Sequence, residues 1–205
     1  MRPRLKFLIG LMSLTIALRL LPYILKSYDV QVDPGVIFYP WNFLPLTAIC
    51  LFSGAYVKDR RLAFGLPILT LFFSDLGIGI ITGHFSWAFP SDRWSAYLCY
   101  PFMTMLGQGL GRQTWPVRGI SAVARGILAE ALFFTVTNFA YFLTQTDVPQ
   151  TGAGLLACYV AAIPFVKTSF VSTVFYAALL FSPFALRASG ETEVSAQPAL
   201  QPAVS

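Results

Sequence analysis

The sequence predicts an all-α membrane protein, a bundle of six transmembrane helices with a short broken or re-entrant segment before the last helix, and three observations predict it. The 205 residues are 56% hydrophobic and 11% charged, with a mean hydropathy of +0.66, whereas soluble domains carry roughly a quarter of charged residues. The apolar residues fall in blocks near the roughly 20-residue length that crosses a hydrocarbon core of about 30 Å. A barrel would instead alternate in polarity over stretches of about 10 residues, and no such pattern is found. Finally, the basic residues sort by loop, as the positive-inside rule requires of short connections.

The first block, 7–26, follows Arg2, Arg4 and Lys6 and resembles a secretory signal in outline. Its length, its end at Leu20-Leu21-Pro22-Tyr23 and the lack of a small-x-small cleavage site identify a retained helix. Further crossings are predicted at 42–57, 62–83, 95–111 and 119–144. The stretch from 152 to 187 is too long for one ordinary crossing, and Pro164 followed by Lys167 offers a break. It divides into a short apolar segment at 153–166 and a last crossing at 168–187. Residues 1–187 then form a single transmembrane helical domain. The remainder, 188–205, is rich in Ala, Ser, Pro, Gln and Glu, which predicts a disordered cytoplasmic tail.

With the N-terminus inside, Arg2, Arg4, Lys6, Lys58, Arg60, Arg61, Arg112, Arg118, Arg125 and Arg187 lie on or near the cytoplasmic face. Lys26, Arg93 and Lys167 lie outside and Arg19 within the first helix, which accounts for all 14 Lys and Arg residues. Both termini are therefore expected in the cytoplasm, and the net charge of +5 follows from topology and implies no nucleic-acid partner. The outer loops hold Tyr28, Phe38, Tyr39, Trp41, Phe85, Trp87, Phe89 and Trp94, the pattern of an interfacial aromatic belt. Cys50, Cys99 and Cys158 stand alone, so no disulfide framework or Cys-x-x-Cys site is indicated.

Charged groups at the bilayer centre cost about 2.5–3.5 kcal/mol on insertion scales, so each needs a partner or a wet cavity. Three are predicted there: Arg19, Asp75 and Glu130. Arg19 lies about 18 Å along its helix from Phe7, and Asp75 reaches a similar depth on another helix running the same way. Asn42 starts the second helix at that face, and Asn138 stands two turns beyond Glu130 on the same side of the fifth. Two readings stay open: an outward-facing polar pocket with Arg19 and Asp75 paired or facing a solute, or a structural Arg–Asp bridge with interhelical Asn bonds. Glu130 is read as a proton or cation site, or as a structural group bonded locally or to Arg125. Small residues at Ser13/Ala17, Gly79/Gly83, Gly107/Gly111 and Ala122/Gly126 have helix-packing spacing. His84 is the single histidine, which excludes a multi-histidine metal site, and no G-x-x-x-x-G-K-[ST] phosphate loop occurs. No cofactor is implied.

Several stretches together resemble a family of small bacterial membrane proteins known as a domain of unknown function. They are Arg19-Leu20-Leu21-Pro22, Asn42-Phe43-x-Pro45-x-x-Ala48 with Leu51-Phe52-x-Gly54-Ala55, Pro67 with Ser74-Asp75, Thr137-Asn138-Phe139, and Cys158-Tyr159-x-Ala161-Ala162-Ile163-Pro164-Phe165. In size and topology that family is similar to the S components of energy-coupling-factor vitamin transporters. The resemblance implies a bacterial inner-membrane protein that holds a solute near the outer face and docks on a membrane coupling subunit with separate ATPases. One departure stands out: Ser172-Thr173 occupies the last helix where an acidic residue is expected.

The leading expectation is a solute-binding or uptake component with a pocket built from Arg19, Asn42, Asp75 and Asn138, closed by Tyr159 and Lys167 from the broken segment. An enzyme on a lipid-linked substrate, with Asp75 or Glu130 as acid/base, is the alternative from another class. A structural subunit of a membrane complex, held by the small-residue faces, is the third.

Overall fold

The computed structural model describes residues 5–28, 30 and 43–189. Eight α-helices follow in order: α1 Leu5–Ser27, α2 Leu46–Tyr56, α3 Arg60–Thr82, α4 Phe85–Ala88, α5 Arg93–Gly107, α6 Val117–Thr144, α7 Gly152–Leu180 and α8 Pro183–Ser189, with a 3₁₀ turn at Leu110–Arg112 between α5 and α6. Helix ends follow local chemistry. Asp59 caps α3, its Oδ1 accepting from the backbone N–H groups of Arg61 at 2.8 Å and Leu62 at 3.3 Å. Gly83 ends the same helix in the left-handed conformation at φ 70°. Thr151 caps α7 by accepting from the Gly154 N–H at 3.1 Å.

The centre of the bundle is α2. All of its residues except Gly54 and Ala55 are buried, and α3, α5, α6 and α7 pack around it. Its closest neighbour is α5. A Cβ on Gly54 would lie 1.9 Å from the Thr104 carbonyl oxygen, and one on Gly107 would lie 2.1 Å from that of Leu51. Only glycine lets two backbones meet this closely. On one side of this crossing Phe52, Tyr56, Leu110, Phe181 and Leu186 form an apolar core; on the other, Leu46, Cys50, Leu71, Tyr100 and Met103 form a second. Cys50 and Cys99 are buried and all three cysteines are free thiols.

Four helices are long and apolar enough to cross a membrane: residues Phe7–Ser27 of α1, then α3, α6 and α7. Their outer faces expose Phe72, Phe73, Ile80, Ile120, Leu128, Leu143, Leu156 and Phe175, the surface expected where lipid is the solvent. The 11 residues of α2 and 15 residues of α5 reach only about 16 and 22 Å.

The expected break before the last helix is overturned. α7 runs without interruption for 29 residues through Pro164 and Lys167, about 43 Å, so 153–166 and the start of 168–187 are one helix; the latter ends at Leu180 and leads into α8. Pro164 is exposed, so its ring meets no packed neighbour. It costs the helix one N–H donor, toward the Val160 carbonyl, and a helix in apolar surroundings keeps its remaining bonds. Of the small-residue pairs, Gly107 and Gly111 pack against α2, whereas Gly83 serves as a helix cap. Ser13 and Ala17 are exposed. The predicted tail, 188–205, begins within α8, which runs to Ser189; its remainder, and Asn42, lie outside the described residues.

Candidate functional site

α1 and α3 pack side by side. Arg19 and Asp75 stand about 21 and 22 Å along them from their starts, at one level of the bundle. Asp75 is completely buried and Arg19 is 11% exposed. The Arg19 guanidinium donates from Nη2 to Asp75 Oδ1 at 2.5 Å and from Nη1 to Ser74 Oγ at 2.7 Å. The Ser74 hydroxyl in turn donates a hydrogen bond to the Leu71 carbonyl at 2.7 Å. A single ion pair would leave Oδ2 bare in the interior, and α5 supplies what is missing. Tyr97 donates to Asp75 Oδ2 at 3.0 Å, and Arg93 Nε stands 3.4 Å from the same oxygen. Arg93 and Tyr97 are four residues apart on one face of α5, which is why both arrive together.

The two arginines are not equally spent. Arg93 Nε is also held by the Ala88 carbonyl at 3.1 Å, while its Nη1 and Nη2 make no hydrogen bond among the described residues. They belong to a side chain lining a cavity of about 200 Å³, together with Arg19, Leu46, Leu71, Met103 and Glu130. Two guanidiniums against one carboxylate leave this wall with a formal charge of +1.

Glu130 of α6 forms the second polar cluster. The residue is 6% exposed, and its Oε1 accepts from Thr47 of α2 at 2.5 Å and Thr173 of α7 at 2.7 Å. Its other oxygen, Oε2, takes no hydrogen bond among the described residues. The expected Arg125 partner is engaged elsewhere: Arg125 Nη1 donates to the Leu106 and Gln108 carbonyls at 2.9 and 2.8 Å, at the end of α5. Beside Thr173, Ser172 donates to the Leu44 carbonyl at 2.8 Å and pins α7 to the start of α2. The Ser172-Thr173 pair therefore does its work through hydroxyl groups. The N-terminus of α2 also meets the cavity at Leu46 and Thr47, with no side chain capping it, so its positive dipole end adds to the +1 wall.

The six residues expected at the pocket separate here. Arg19 and Asp75 meet. Asn138 lines an adjoining void of about 220 Å³ that shares Glu130, Phe133 and Ser169 with the cavity, and its Nδ2 donates to the Phe134 carbonyl of its own helix at 2.8 Å. Tyr159 donates to the Thr135 carbonyl at 2.7 Å, a strut between α7 and α6, and lines neither space. Lys167 is exposed on α7 and also lies off the cavity. Asn42 falls outside the described residues. Neither Tyr159 nor Lys167 forms the expected lid, because the segment carrying them is one continuous helix.

Arg93 and Tyr97 are the residues that sequence reasoning missed, along with Thr47 and Thr173. No group of three His, Cys, Asp or Glu side chains able to hold a metal occurs among the described residues; His84 stacks on Trp87 with ring centroids 4.9 Å apart, and Lys26 sits 5.1 Å over that same Trp87 ring. The arrangement offers charge and hydrogen bonds to a small polar molecule.

Across residues 1–196 the chain matches the model of a family described as a family of unknown function, DUF6580. No curated protein and no solved structure matches it. The chain belongs to the DUF6580 family.

Proposed function

We propose that this DUF6580 member is a solute-binding or uptake component of the bacterial inner membrane, and that the Arg19–Arg93–Glu130 cavity is its ligand site. The single observation that carries this reading is Arg93, which lines the cavity with its Nε anchored at Ala88 and Asp75 and its terminal nitrogens making no hydrogen bond among the described residues. A cation whose only task was to neutralise Asp75 would be redundant beside Arg19. An exposed fork held by its stem is instead what ligand recognition needs.

Six crossings follow if α2 and α5 traverse the bilayer with the four long helices, their shortness offset by burial against longer neighbours. The bias of basic residues supports cytoplasmic termini, which puts the cavity in the outer half of the membrane. Movement of a solute across would then require a membrane coupling subunit and separate ATPases, since the chain has no phosphate-binding loop of its own.

The test is thermal unfolding of the purified protein in detergent or nanodiscs against a panel of small anionic, cationic, zwitterionic and neutral solutes. A ligand at a hundred times its Kd stabilises the folded state by about 2.7 kcal/mol, enough for a clear rise in Tm. Absence of any ligand-dependent rise, alone or with a coupling subunit, counts against the reading and favours a structural role for the Arg19–Asp75 pair.

A further inference from the structure

The geometry points to a ligand class: a small molecule with one carboxylate at one end and an ammonium at the other, separated by an apolar spacer. This inference rests on the cavity being a ligand site, as proposed above.

The carboxylate end follows from Arg93, whose Nη1 and Nη2 make no hydrogen bond among the described residues. Two parallel N–H donors on a planar guanidinium match the two oxygens of a carboxylate. With Arg19 and the uncapped start of α2 on the same cavity, a monoanion would balance the wall's charge of +1. A phosphate dianion would exceed it and would also face the carboxyl of Glu130 in the same enclosed space.

The ammonium end follows from Glu130. Its Oε1 accepts from two hydroxyl donors while Oε2 takes none among the described residues, so the carboxyl has room for one more donor, which a ligand ammonium would supply. With Glu130 ionised opposite a bound ammonium, Arg19 and Arg93 against Asp75 and Glu130 sum to zero, so a zwitterion leaves every charge in the cavity matched, as buried charges require.

The spacer follows from where the poles stand. The Asp75 cluster is built by α1, α3 and α5 and the Glu130 cluster by α2, α6 and α7, with no helix in common and no hydrogen bond joining them among the described residues. Leu46, Leu71 and Met103 supply apolar wall to the shared cavity. An ω-amino acid satisfies these demands better than an α-amino acid, whose charges share one carbon.

The experiment uses the intact protein in nanodiscs and isothermal titration with a graded series of ω-amino acids. Each is compared with its amide, which lacks the carboxylate, and with its deamino acid, which lacks the ammonium. One chain length should bind, and both analogues should lose about tenfold or more, because each leaves a cavity group unpaired. Glu130→Gln keeps the Oε1 acceptor for Thr47 and Thr173 and should bring the ω-amino acid and its deamino analogue to equal affinity. Arg93→Gln should do the same for the acid and its amide. The unliganded Tm of each variant separates lost binding from lost folding, and the analogue series on the unaltered protein stands independently of the variants. Tight binding of a neutral or purely cationic solute, or an unchanged preference in Glu130→Gln, overturns the ligand class while leaving a binding function in place. Binding of nothing in the wider solute panel overturns both.

Discussion

Arginines sit at both ends of this bundle and are used in opposite ways. At the end where α7 finishes, Arg118 is 1% exposed and donates from Nε to the Phe181 carbonyl at 3.3 Å and from Nη1 to the Gln113 carbonyl at 3.1 Å. Arg125 likewise serves the two carbonyls that close α5. These side chains satisfy helix ends, where unpaired carbonyls and a negative dipole gather. At the other end, Arg19 and Arg93 share one carboxylate, and Arg93 Nη1 and Nη2 make no hydrogen bond among the described residues. Residue type and burial alone therefore do not separate scaffold from site. What separates them is the acceptor each meets, backbone carbonyls at one end and a buried carboxylate beside a cavity at the other.

That contrast breaks most sharply at Asp75. Asp75→Ala should destabilise by about 3–5 kcal/mol, since two guanidiniums lose their shared anion, measured by reversible unfolding in mixed micelles. Combining it with Arg19→Ala should cost less than the sum; strict additivity would mean that the two residues are not coupled. Next in size, Arg118→Ala should cost about 1.5–3 kcal/mol, the worth of a hydrogen bond to a charged group, with ligand affinity unchanged. A comparable loss of affinity would erase the distinction between the two ends. Gly107→Ala forces a Cβ onto the Leu51 backbone and should cost about 1–3 kcal/mol by overpacking, again without a change in ligand preference. At the small end, Tyr159→Phe removes one hydrogen bond between α7 and α6 and should cost about 0.5–1.5 kcal/mol. An effect of that substitution on ligand specificity would restore Tyr159 to the site.

The Arg19–Asp75 pair was legible in the sequence because depth can be counted along two helices running the same way, and a costly charge predicts a partner at its own level. Arg93 was not legible. It stands beside Trp94 in what the sequence shows as an outer loop, and nothing in the local pattern shows that α5 leans toward Asp75. Tyr97 was hidden among the aromatic residues of the same region. Glu130 was marked as costly, but Thr47 and Thr173 could not be identified as its partners, since threonine in an apolar helix usually bonds its own backbone, as Thr70 and Thr104 do here. Pro164 misled for a different reason: its effect on a helix depends on what surrounds the ring and the freed carbonyl, and that is a tertiary property. The helical fold class was the most legible feature, because composition and block length report directly on it.

The contact of Gly54 and Gly107 with the opposing backbones also governs leakage. Where α2 and α5 touch main chain to main chain, Ala48, Cys50, Leu51 and Phe52 at and beside that contact are 0–1% exposed. A seam packed this closely is expected to give protons and small ions no wetted route along it. Liposomes carrying the protein should hold a pH gradient as long as empty ones do, so that occupying the cavity and dissipating a gradient are separate events.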